Sequence, residues 1–237
     1  MKLNDIVREF QRFGAVKTLQ DLSLRAANRA ASARILKGIR IETVNPEFLK
    51  CDKPYWGGFL GERELAEVAR NHPEYEITES FLRQAFAKGD RCYGFLDGSM
   101  LANYGWYSNE PTEIDTPGVR LRFDPGYIYM YKGFTHNKYR GQRLHAIAMT
   151  RALEAYLAEG YKGIVSYVEW NNFSSLTSCY RMGYADFGNL YVAQVFGRRF
   201  TYAGRGCDRY GFRLEWEDRG AGRQQTSART AKRQTIL

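Results

Sequence analysis

The stretch from residue 127 to residue 159 constrains the fold most, because a strand pattern changes there within a few residues into a helix pattern. "YIYMYKGFT" places tyrosines at alternate positions, which predicts a β-strand over residues 127–135. From Arg140 to Glu159 the apolar residues have helical spacing, and Gly160 follows as a helix end. A chain with this unit has to pack a helix against a sheet, so we predict an α/β (α+β) fold with a mixed sheet.

The turn between this strand and this helix, "HNKYRGQRLH", is rich in positive charge. The first amides of a helix lack partners within the helix, and the helix dipole makes that end positive. Gly141 allows the backbone to approach an anion, and Arg140 and Arg143 can bind phosphate oxygens through charge-assisted hydrogen bonds. His145 adds a donor one turn later. The pattern indicates a phosphate site, and a charged surface turn is the alternative that the spacing leaves open.

The remaining patterns predict the order β-α-α-β-β-β-α-β-α-β-β, preceded by a helical extension. Predicted helices cover Glu62–Arg70, Thr78–Lys88 and Phe173–Met182, and Asp97-Gly98 marks a hairpin turn. A buried strand is expected at 162–168, and "LYVAQVF" and "YGFRLEW" are interpreted as closing strands. The glycine-rich "PYWGGFLG" and residues 108–126 are interpreted as loops, the second of which could act as a lid.

We divide the chain into three parts by composition. Residues 1–38 form a basic helical extension whose second helix ends at Gly38, residues 39–216 form the main domain, and residues 217–237 form a disordered basic tail without apolar periodicity. The extension either packs on the domain as a helical hairpin or lies on a membrane surface or a partner.

The net charge of +9 suggests anionic partners, namely phosphorylated cofactors, nucleic acid or acidic lipid surfaces. The four cysteines are far apart and the three histidines do not cluster near them, so no metal site is expected. We interpret the cysteines as reduced thiols of a cytoplasmic protein. The amino-terminal residues are too charged for a secretory signal, no apolar run is long enough to span a membrane, and no specific nucleic-acid motif is found.

Two segments carry a resemblance to one family. "YRGQRLHAIAM" resembles the pyrophosphate loop Q/R-x-x-G-x-G/A of the GNAT (GCN5-related N-acetyltransferase) superfamily, with Arg140 in the first position and Gly141 in its common "RG" form. Arg143 and His145 stand where the family has small residues. "NFSSLTSCYRMGY" resembles the family's later motif, and its aligned residues are Asn172, Ser175, Gly183 and Tyr184. The order of elements over 39–216 is also similar to the GNAT fold, a mixed, mostly antiparallel sheet flanked by helices.

The resemblance implies an acyl-CoA-dependent N-acyltransferase in which an amine attacks the thioester of acetyl-CoA, or of another acyl-CoA, directly. The pantetheine arm would lie between strands 127–135 and 162–168, and a backbone amide near Phe134 would stabilise the oxyanion. The residues expected to bind the donor are Phe134, Thr135, Arg140, Gly141, Gln142, Arg143, Leu144, His145, Asn172 and Ser175.

Two side chains are predicted to take part in catalysis. Glu169, at the end of strand 162–168, is the candidate proton acceptor for the attacking amine, and the alternative is that it is an exposed loop acid or the partner of an arginine. The family's tyrosine acid aligns with Cys179, so Tyr180, one residue later, is the candidate acid although it is rotated by about 100°. Tyr129, Tyr131 and Trp106 are candidate acceptor-site residues.

Three functional hypotheses remain open at this stage. The first is an N-acetyltransferase acting on a small molecule or a protein. The second is a longer-chain N-acyltransferase peripheral to an anionic membrane, held there by residues 1–38. The third is a non-catalytic protein that binds CoA or nucleic acid. The acceptor, the acyl length and the oligomeric state, with a homodimer as one option, are not predicted.

Overall fold

The computed structural model describes residue 11, residues 14–19 and residues 32–217. Residues 15–19 are helical, and five helices lie within residues 32–217: α1 (Glu62–Asn71), α2 (Glu79–Lys88), α3 (Leu144–Ala158), α4 (Phe173–Arg181) and α5 (Arg205–Asp208). The strands are β1 (Ser32–Ile41), β2 (Trp56–Leu60), β3 (Arg91–Asp97), β4 (Met100–Ser108), β5 (Thr112–Glu113), β6 (Val119–Arg122), β7 (Ile128–Thr135), β8 (Ile164–Glu169), β9 (Ala185–Val195), β10 (Arg198–Ala203) and β11 (Arg213–Trp216).

Eight strands form one sheet in the order β10-β9-β1-β8-β7-β4-β3-β2, and β11-β6-β5 form a smaller second sheet. Among the described strands, β7 and β8 are the parallel pair, and the other pairs are antiparallel. The predicted fold class, a mixed and mostly antiparallel sheet flanked by helices, is therefore confirmed. The predicted helices before and after the β3–β4 hairpin are present, and β7, α3, β8 and α4 follow in the expected order.

Residues 32–38 were predicted to be helical, but they begin a strand of the main sheet. The helix expected to end at Gly38 is wrong there, because Ser32–Ile41 is a strand that lies between β8 and β9. Leu36 and Ile39 are 0% and 1% exposed, which makes β1 a central strand of the core. The proposed boundary at residue 38 falls inside β1. The rest of the predicted extension lies mostly outside the described residues, as does the predicted tail after Glu217.

Two segments interpreted as loops contain strands. "PYWGGFLG" includes β2, which pairs with β3 at the edge of the large sheet. Residues 108–126 include β5 and β6, and β6 pairs with β11 from the end of the described chain, so this segment is part of a packed layer and not a free lid. The β9–β10 hairpin and α5 were not predicted as separate elements.

The large sheet opens between its two parallel strands. β7 and β8 are paired at Ile128 with Ile164 and at Tyr129 with Val165, and the Ser166 hydroxyl then donates to the Met130 carbonyl at 2.7 Å. The register between β4 and β7 shifts at the next residue, because Tyr131 is an extra residue opposite β4. Beyond this bulge β7 and β8 separate, and the carboxyl half of β7 has one unpaired edge.

Helices and the small sheet cover opposite faces of the large sheet. α3 packs on the face that holds a core cluster around Ile147, Leu153 and Ile164, while the small sheet covers a second cluster around Leu121, Tyr129 and Val165. No helix in the described part of the chain is long and apolar enough to cross a membrane.

Candidate functional site

The turn that follows β7 has an unusual backbone. After a 3-10 turn at Asn137–Tyr139, Gly141 has a φ of 79° and Arg143 a φ of 60°. Glycine adopts this left-handed region readily, whereas a residue with a side chain is disfavoured there.

The amino terminus of α3 has amides without partners. The helix begins at Leu144, its N-cap residue is Arg143, and no side chain caps it. Ile147 donates the first helical hydrogen bond, to the Arg143 carbonyl at 3.0 Å. Among the described residues no acceptor faces the N–H groups of Leu144, His145 and Ala146. With the helix dipole behind them, these amides can bind an anion.

A cavity of about 510 Å³ lies at this helix terminus. Its lining comes from the turn, from the start of α3, from the carboxyl end of α4 and from the segment before β2. The lining residues are Phe48, Thr135, Tyr139, Arg140, Gly141, Arg143, Leu144, His145, Ala146, Ser178, Arg181 and Met182. The structure therefore brings Thr135, Arg140, Gly141, Arg143, Leu144 and His145 together around one cavity, as expected for residues of one site.

Two lining residues were not foreseen. Phe48 is 8% exposed, and the guanidinium carbon of Arg143 lies 4.6 Å from the centre of its ring, a cation–π contact that fixes the Arg143 side chain. Arg181, in the last turn of α4, brings a third arginine to the cavity. The signal for Arg181 is in the sequence, since it stands within the "YRMGY" of the second motif. Phe48 has no local signal, because it is 92 residues from Arg140 along the chain.

Buried aromatic residues hold the turn in place. The Tyr139 hydroxyl donates to Oδ2 of Asp97 at 2.8 Å, and the Tyr55 hydroxyl donates to Oε1 of Gln142 at 3.0 Å. Burial and the bond to Asp97 raise the pKa of Tyr139 to about 12, so it stays a neutral donor. Tyr55 and Tyr139 also contact edge to face. Gln142 is thus held outside the 510 Å³ cavity, although it was predicted to bind the donor.

His145 fills space next to the unpaired edge of β7. A Cβ atom at Gly133 would lie 3.1 Å from Cε1 of His145, so the histidine ring lies directly against the glycine. Burial lowers the pKa of His145 below its usual 6.5, which makes the imidazole neutral at pH 7. A neutral ring offers one donor and one acceptor to a ligand in the cavity.

The backbone groups on the unpaired edge of β7 belong to Gly133 and Thr135, the residues on either side of Phe134. The Phe134 carbonyl accepts from Nδ2 of Asn103 at 2.8 Å, and the His136 N–H donates to Ala102 in β4. Residues 134 and 136 therefore direct their backbone groups to β4, and the alternation of a strand turns those of Gly133 and Thr135 to the gap. The backbone groups that face the gap are those of Thr135 and of Gly133, which was not predicted, and not those of Phe134.

Asn172 and Ser175 begin α4. Oδ1 of Asn172 accepts from the Ser175 N–H at 3.2 Å and from the Ser174 hydroxyl at 3.1 Å, which is an N-cap arrangement. Neither Asn172 nor Ser175 lines the 510 Å³ cavity. Their predicted contact with the donor stays a prediction, and their observed role is to start the helix that carries Arg181.

Glu169 is paired with an arginine. Nε of Arg34 lies 2.6 Å from Oε1 of Glu169, and the Arg34 guanidinium also donates to the Thr116 hydroxyl at 2.6 Å. Burial acts to lower the pKa of Arg34, but the hydrogen bond and the attraction of Glu169 outweigh it and the pKa is raised. The arrangement matches one of the alternatives stated for Glu169, the pairing with an arginine.

Tyr180 does not line the cavity. Its side chain is 43% exposed, and the charged groups that act on it are Asp186 and Lys37. Cys179, one residue earlier, is buried in the core, and burial raises its thiol pKa to about 11. Ser178 and Arg181 are the residues of α4 that reach the cavity, together with Met182 just after it. The general-acid role of Tyr180 therefore stays a prediction without support from the geometry.

The predicted acceptor-site residues lie in or beside the cores. Trp106 and Tyr129 are 0% and 1% exposed, so neither side chain presents a surface to a substrate. Tyr131, the extra residue of the β7 bulge, is half-buried and donates to Oδ2 of Asp90 at 2.7 Å. Of the three, Tyr131 is the one that borders the gap between β7 and β8. No group of three or more potential metal ligands occurs among the described residues.

Comparisons with known proteins give remote structural likenesses. No family model matches the chain, and no curated protein matches it. A GNAT-family protein from Novosphingobium aromaticivorans is similar at 14% identity and a TM-score of 0.46, over 78% of this chain and 66% of that one. A GCN5-related N-acetyltransferase from Sphaerobacter thermophilus has 12% identity and a TM-score of 0.48, over 72% and 54%. YncA from Salmonella typhimurium, solved with its cofactor acetyl-CoA, has 14% identity and a TM-score of 0.42, over 70% and 96%.

The chain matches less than two thirds of the first solved structures found. The match covers 66%, 57% and 56% of the first three, the second of which is a Drosophila protein. Structures named as GNAT acetyltransferases are thus among the proteins that this chain resembles.

Proposed function

We propose that this protein is an acyl-CoA-dependent N-acyltransferase that transfers an acetyl group from acetyl-CoA to an amine. The observation that carries the proposal is the 510 Å³ cavity at the uncapped amino terminus of α3, with Arg140, Arg143 and Arg181 on its lining. A pyrophosphate diester carries two negative charges close together. Free helix amides flanked by guanidinium groups are the donors that such a group requires.

The thioester end of the donor would occupy the gap between β7 and β8. With the pyrophosphate at α3, the pantetheine arm can run along the unpaired edge of β7 and bond to the backbone of Gly133 and Thr135. His145, neutral and beside Gly133, would contact the arm in the same channel. The arm then ends near the bulge at Tyr131, where a backbone amide would stabilise the oxyanion that forms on the thioester carbonyl.

The transfer is a direct attack of a neutral amine on the thioester carbon. A C–N bond forms, the C–S bond breaks, and the CoA thiolate leaves and is protonated. The amine has to lose a proton before or during the attack, because most amines are cationic at neutral pH. With Glu169 held by Arg34, water molecules in the gap are the better proton acceptors.

A second candidate, a longer-chain N-acyltransferase at an anionic membrane, is favoured by one surface feature. The β9–β10 hairpin exposes Phe196, Phe200 and Tyr202 at 97%, 53% and 64% of their surface, beside the basic residue Arg198. Aromatic and basic residues in this mixture suit the interface of an anionic bilayer. Pelleting with anionic vesicles tests the second candidate, which requires the protein to bind them. If the folded protein does not bind, the second candidate is contradicted and the first is not.

The proposed activity is tested by thiol release. The full chain is incubated with acetyl-CoA and a panel of amines, including spermidine, aromatic amines and peptides, and free CoA is followed with a thiol reagent while mass spectrometry detects the acetylated product. We expect release of CoA and acetylated amine in equal amounts with at least one amine. Octanoyl-CoA and palmitoyl-CoA in the same assay report the acyl length.

A further inference from the structure

A charged network is buried at the point where α2 passes into β3. Gly89 ends α2 in the left-handed region, and the Asp90 N–H donates to the Ala85 carbonyl at 2.9 Å, which fixes Asp90 just before β3. Oδ2 of Asp90 accepts from the Lys88 ammonium at 3.0 Å and from the Tyr131 hydroxyl at 2.7 Å. Asp90 is 2% exposed, so these bonds form away from water. Asp90 therefore joins the end of α2 to β7, 41 residues later along the chain.

Stability alone does not explain this network. A buried carboxylate loses its hydration, and the attraction of a cation offsets this cost only when the remaining oxygen lone pairs are also hydrogen-bonded. No group in the described part of the chain donates to Oδ1 of Asp90. The Lys88 ammonium is shared, because it also donates to the Thr112 hydroxyl in β5 at 2.7 Å. Apolar residues of similar volume often stabilise such a site as well or better, so the geometry that the network imposes explains it better.

The tyrosine that Asp90 holds is the bulged residue of β7. The register between β4 and β7 shifts between Trp106 and Tyr107, which leaves Tyr131 without a partner in β4. Such a residue has no place in the ladder of backbone bonds to fix it, and a shift of one residue would turn the following side chains to the other face of the sheet. Burial and the charge of Asp90 raise the pKa of Tyr131, so its hydroxyl keeps the proton that it donates. The bond to Asp90 thus supplies the constraint that the bulge lacks.

We propose that Asp90 is a positioning residue of the transferase, which acts through the Tyr131 hydroxyl to fix the bulge where β7 separates from β8. The inference rests on the proposed function, in which a backbone amide near this bulge stabilises the oxyanion. That amide lowers the barrier only when it points at the developing charge, and a displacement of about 1 Å can cost about 100-fold in rate. Asp90 then affects the transfer step without contacting either substrate.

Two substitutions of tyrosine by phenylalanine give a matched test. Tyr131→Phe removes the bond to Asp90 and keeps the ring, whereas Tyr127→Phe, just before β7, removes a similar bond from the Tyr127 hydroxyl to Oε1 of Glu42 at 2.7 Å. We expect Tyr131→Phe to lower kcat for acetyl transfer about tenfold or more with little change in KM, and Tyr127→Phe to keep kcat within about twofold. Urea unfolding should show similar losses of stability, because the two lost bonds are alike. An unchanged kcat in Tyr131→Phe, or an equal fall of kcat in both variants, would overturn the inference.

The side chain at position 90 gives a second comparison. Asp90→Asn keeps an oxygen that accepts from the Tyr131 hydroxyl, so it should retain most of kcat, whereas Asp90→Leu removes the acceptor and should match Tyr131→Phe. Adding Asp90→Leu to Tyr131→Phe should lower kcat no further, because the two residues act as one unit. Additive losses in this double variant, or the same low kcat in Asp90→Asn and Asp90→Leu, contradict the inference.

Hydrogen exchange reports on the bulge without acyl transfer. In Tyr131→Phe we expect the backbone amides of residues 130–133 to exchange several-fold faster than in the wild type, while Tyr127→Phe leaves their exchange unchanged. Equal exchange of these amides in the wild type and in Tyr131→Phe contradicts the inference. If the wild type transfers no acetyl group to any amine while exchange in Tyr131→Phe is faster, the proposed function and the catalytic part of the inference fail, and the anchoring of the bulge by Asp90 stands.

Discussion

Arg143 combines a disfavoured backbone conformation with a side chain stacked on Phe48 over the cavity. Arg143→Asn keeps a residue that tolerates the left-handed region but removes the charge, so we expect affinity for acetyl-CoA to fall about tenfold with little change in stability. Arg143→Gly relaxes the backbone as well and serves as the matched variant. Calorimetry on both measures the effect. If the glycine variant binds as tightly as the wild type, Arg143 does not contact the pyrophosphate.

His145 makes the stability of the fold depend on pH. Its folded-state pKa lies below the unfolded value of 6.5, so the unfolded chain binds more protons in the interval between the two. The contribution is complete above pH about 6.5 and is lost as the pH falls through the folded-state pKa, with a slope of at most about 1.4 kcal/mol per pH unit. Urea unfolding at pH 7 and pH 5 should show a smaller loss of stability for His145→Gln than for the wild type. Equal losses would contradict this.

Glu169 should matter for structure more than for proton transfer. Glu169→Gln preserves an acceptor for Arg34 without the negative charge, and we expect kcat to fall less than about tenfold with the same pH profile. A general base would give a loss of about 100-fold or more and a changed acidic limb. The rate as a function of pH, measured on both proteins, decides between these outcomes.

At the scale of elements, the most consequential difference from the prediction is β1, which was predicted as part of a helix and is a central strand of the large sheet. It pairs with β8 on one edge and with β9 on the other, and Leu36 is fully buried in the cluster under the small sheet. Leu36→Ala should lower the free energy of unfolding by about 2–5 kcal/mol, as for other buried leucines. Leu19→Ala is the control, because Leu19 is 69% exposed. Similar denaturant midpoints for the two variants would show that β1 is peripheral.

A local sequence pattern predicts an element correctly when the residues of that element determine its structure. The pattern fails when strands or side chains distant in sequence determine it. The alternation of tyrosines in β7 and the helical spacing of α3 both appear in the sequence, and both were predicted. The segment of β1 is rich in helix-forming residues and becomes a strand because β8 and β9 offer partners on both edges. In β2, Gly57 suggests a loop, but a Cβ there would lie 2.4 Å from the Phe95 ring, so the close packing of the ring requires glycine.

For the site, too, the residues that are contiguous in sequence were predictable and the distant ones were not. The turn and the start of α3 are contiguous in sequence and line one cavity. Phe48 comes from a segment about 90 residues earlier, and no local motif marks it. The motif aligned Cys179 with the family's acid, and Tyr180, one residue and about 100° further around the helix, is 43% exposed and does not line the cavity.

At the scale of the whole molecule, one sheet supplies both requirements of the proposed reaction. Its two parallel strands separate, and under the proposal an extended arm would lie between them, while the uncapped amino terminus of the helix that connects them would bind the head of the same ligand. The net charge of +9 should steer a polyanionic donor to this surface and make binding sensitive to ionic strength.

The most direct test is a calorimetric titration of the full chain with acetyl-CoA at low and at high salt. We predict one binding site per chain, an affinity that falls several-fold between 50 mM and 500 mM salt, and loss of most of the binding in Arg140→Ala/Arg143→Asn. Circular dichroism of each protein establishes that it is folded. A folded wild-type chain that gives no binding heat at low salt at several temperatures would contradict the central claim, that the cavity at the start of α3 is a CoA site.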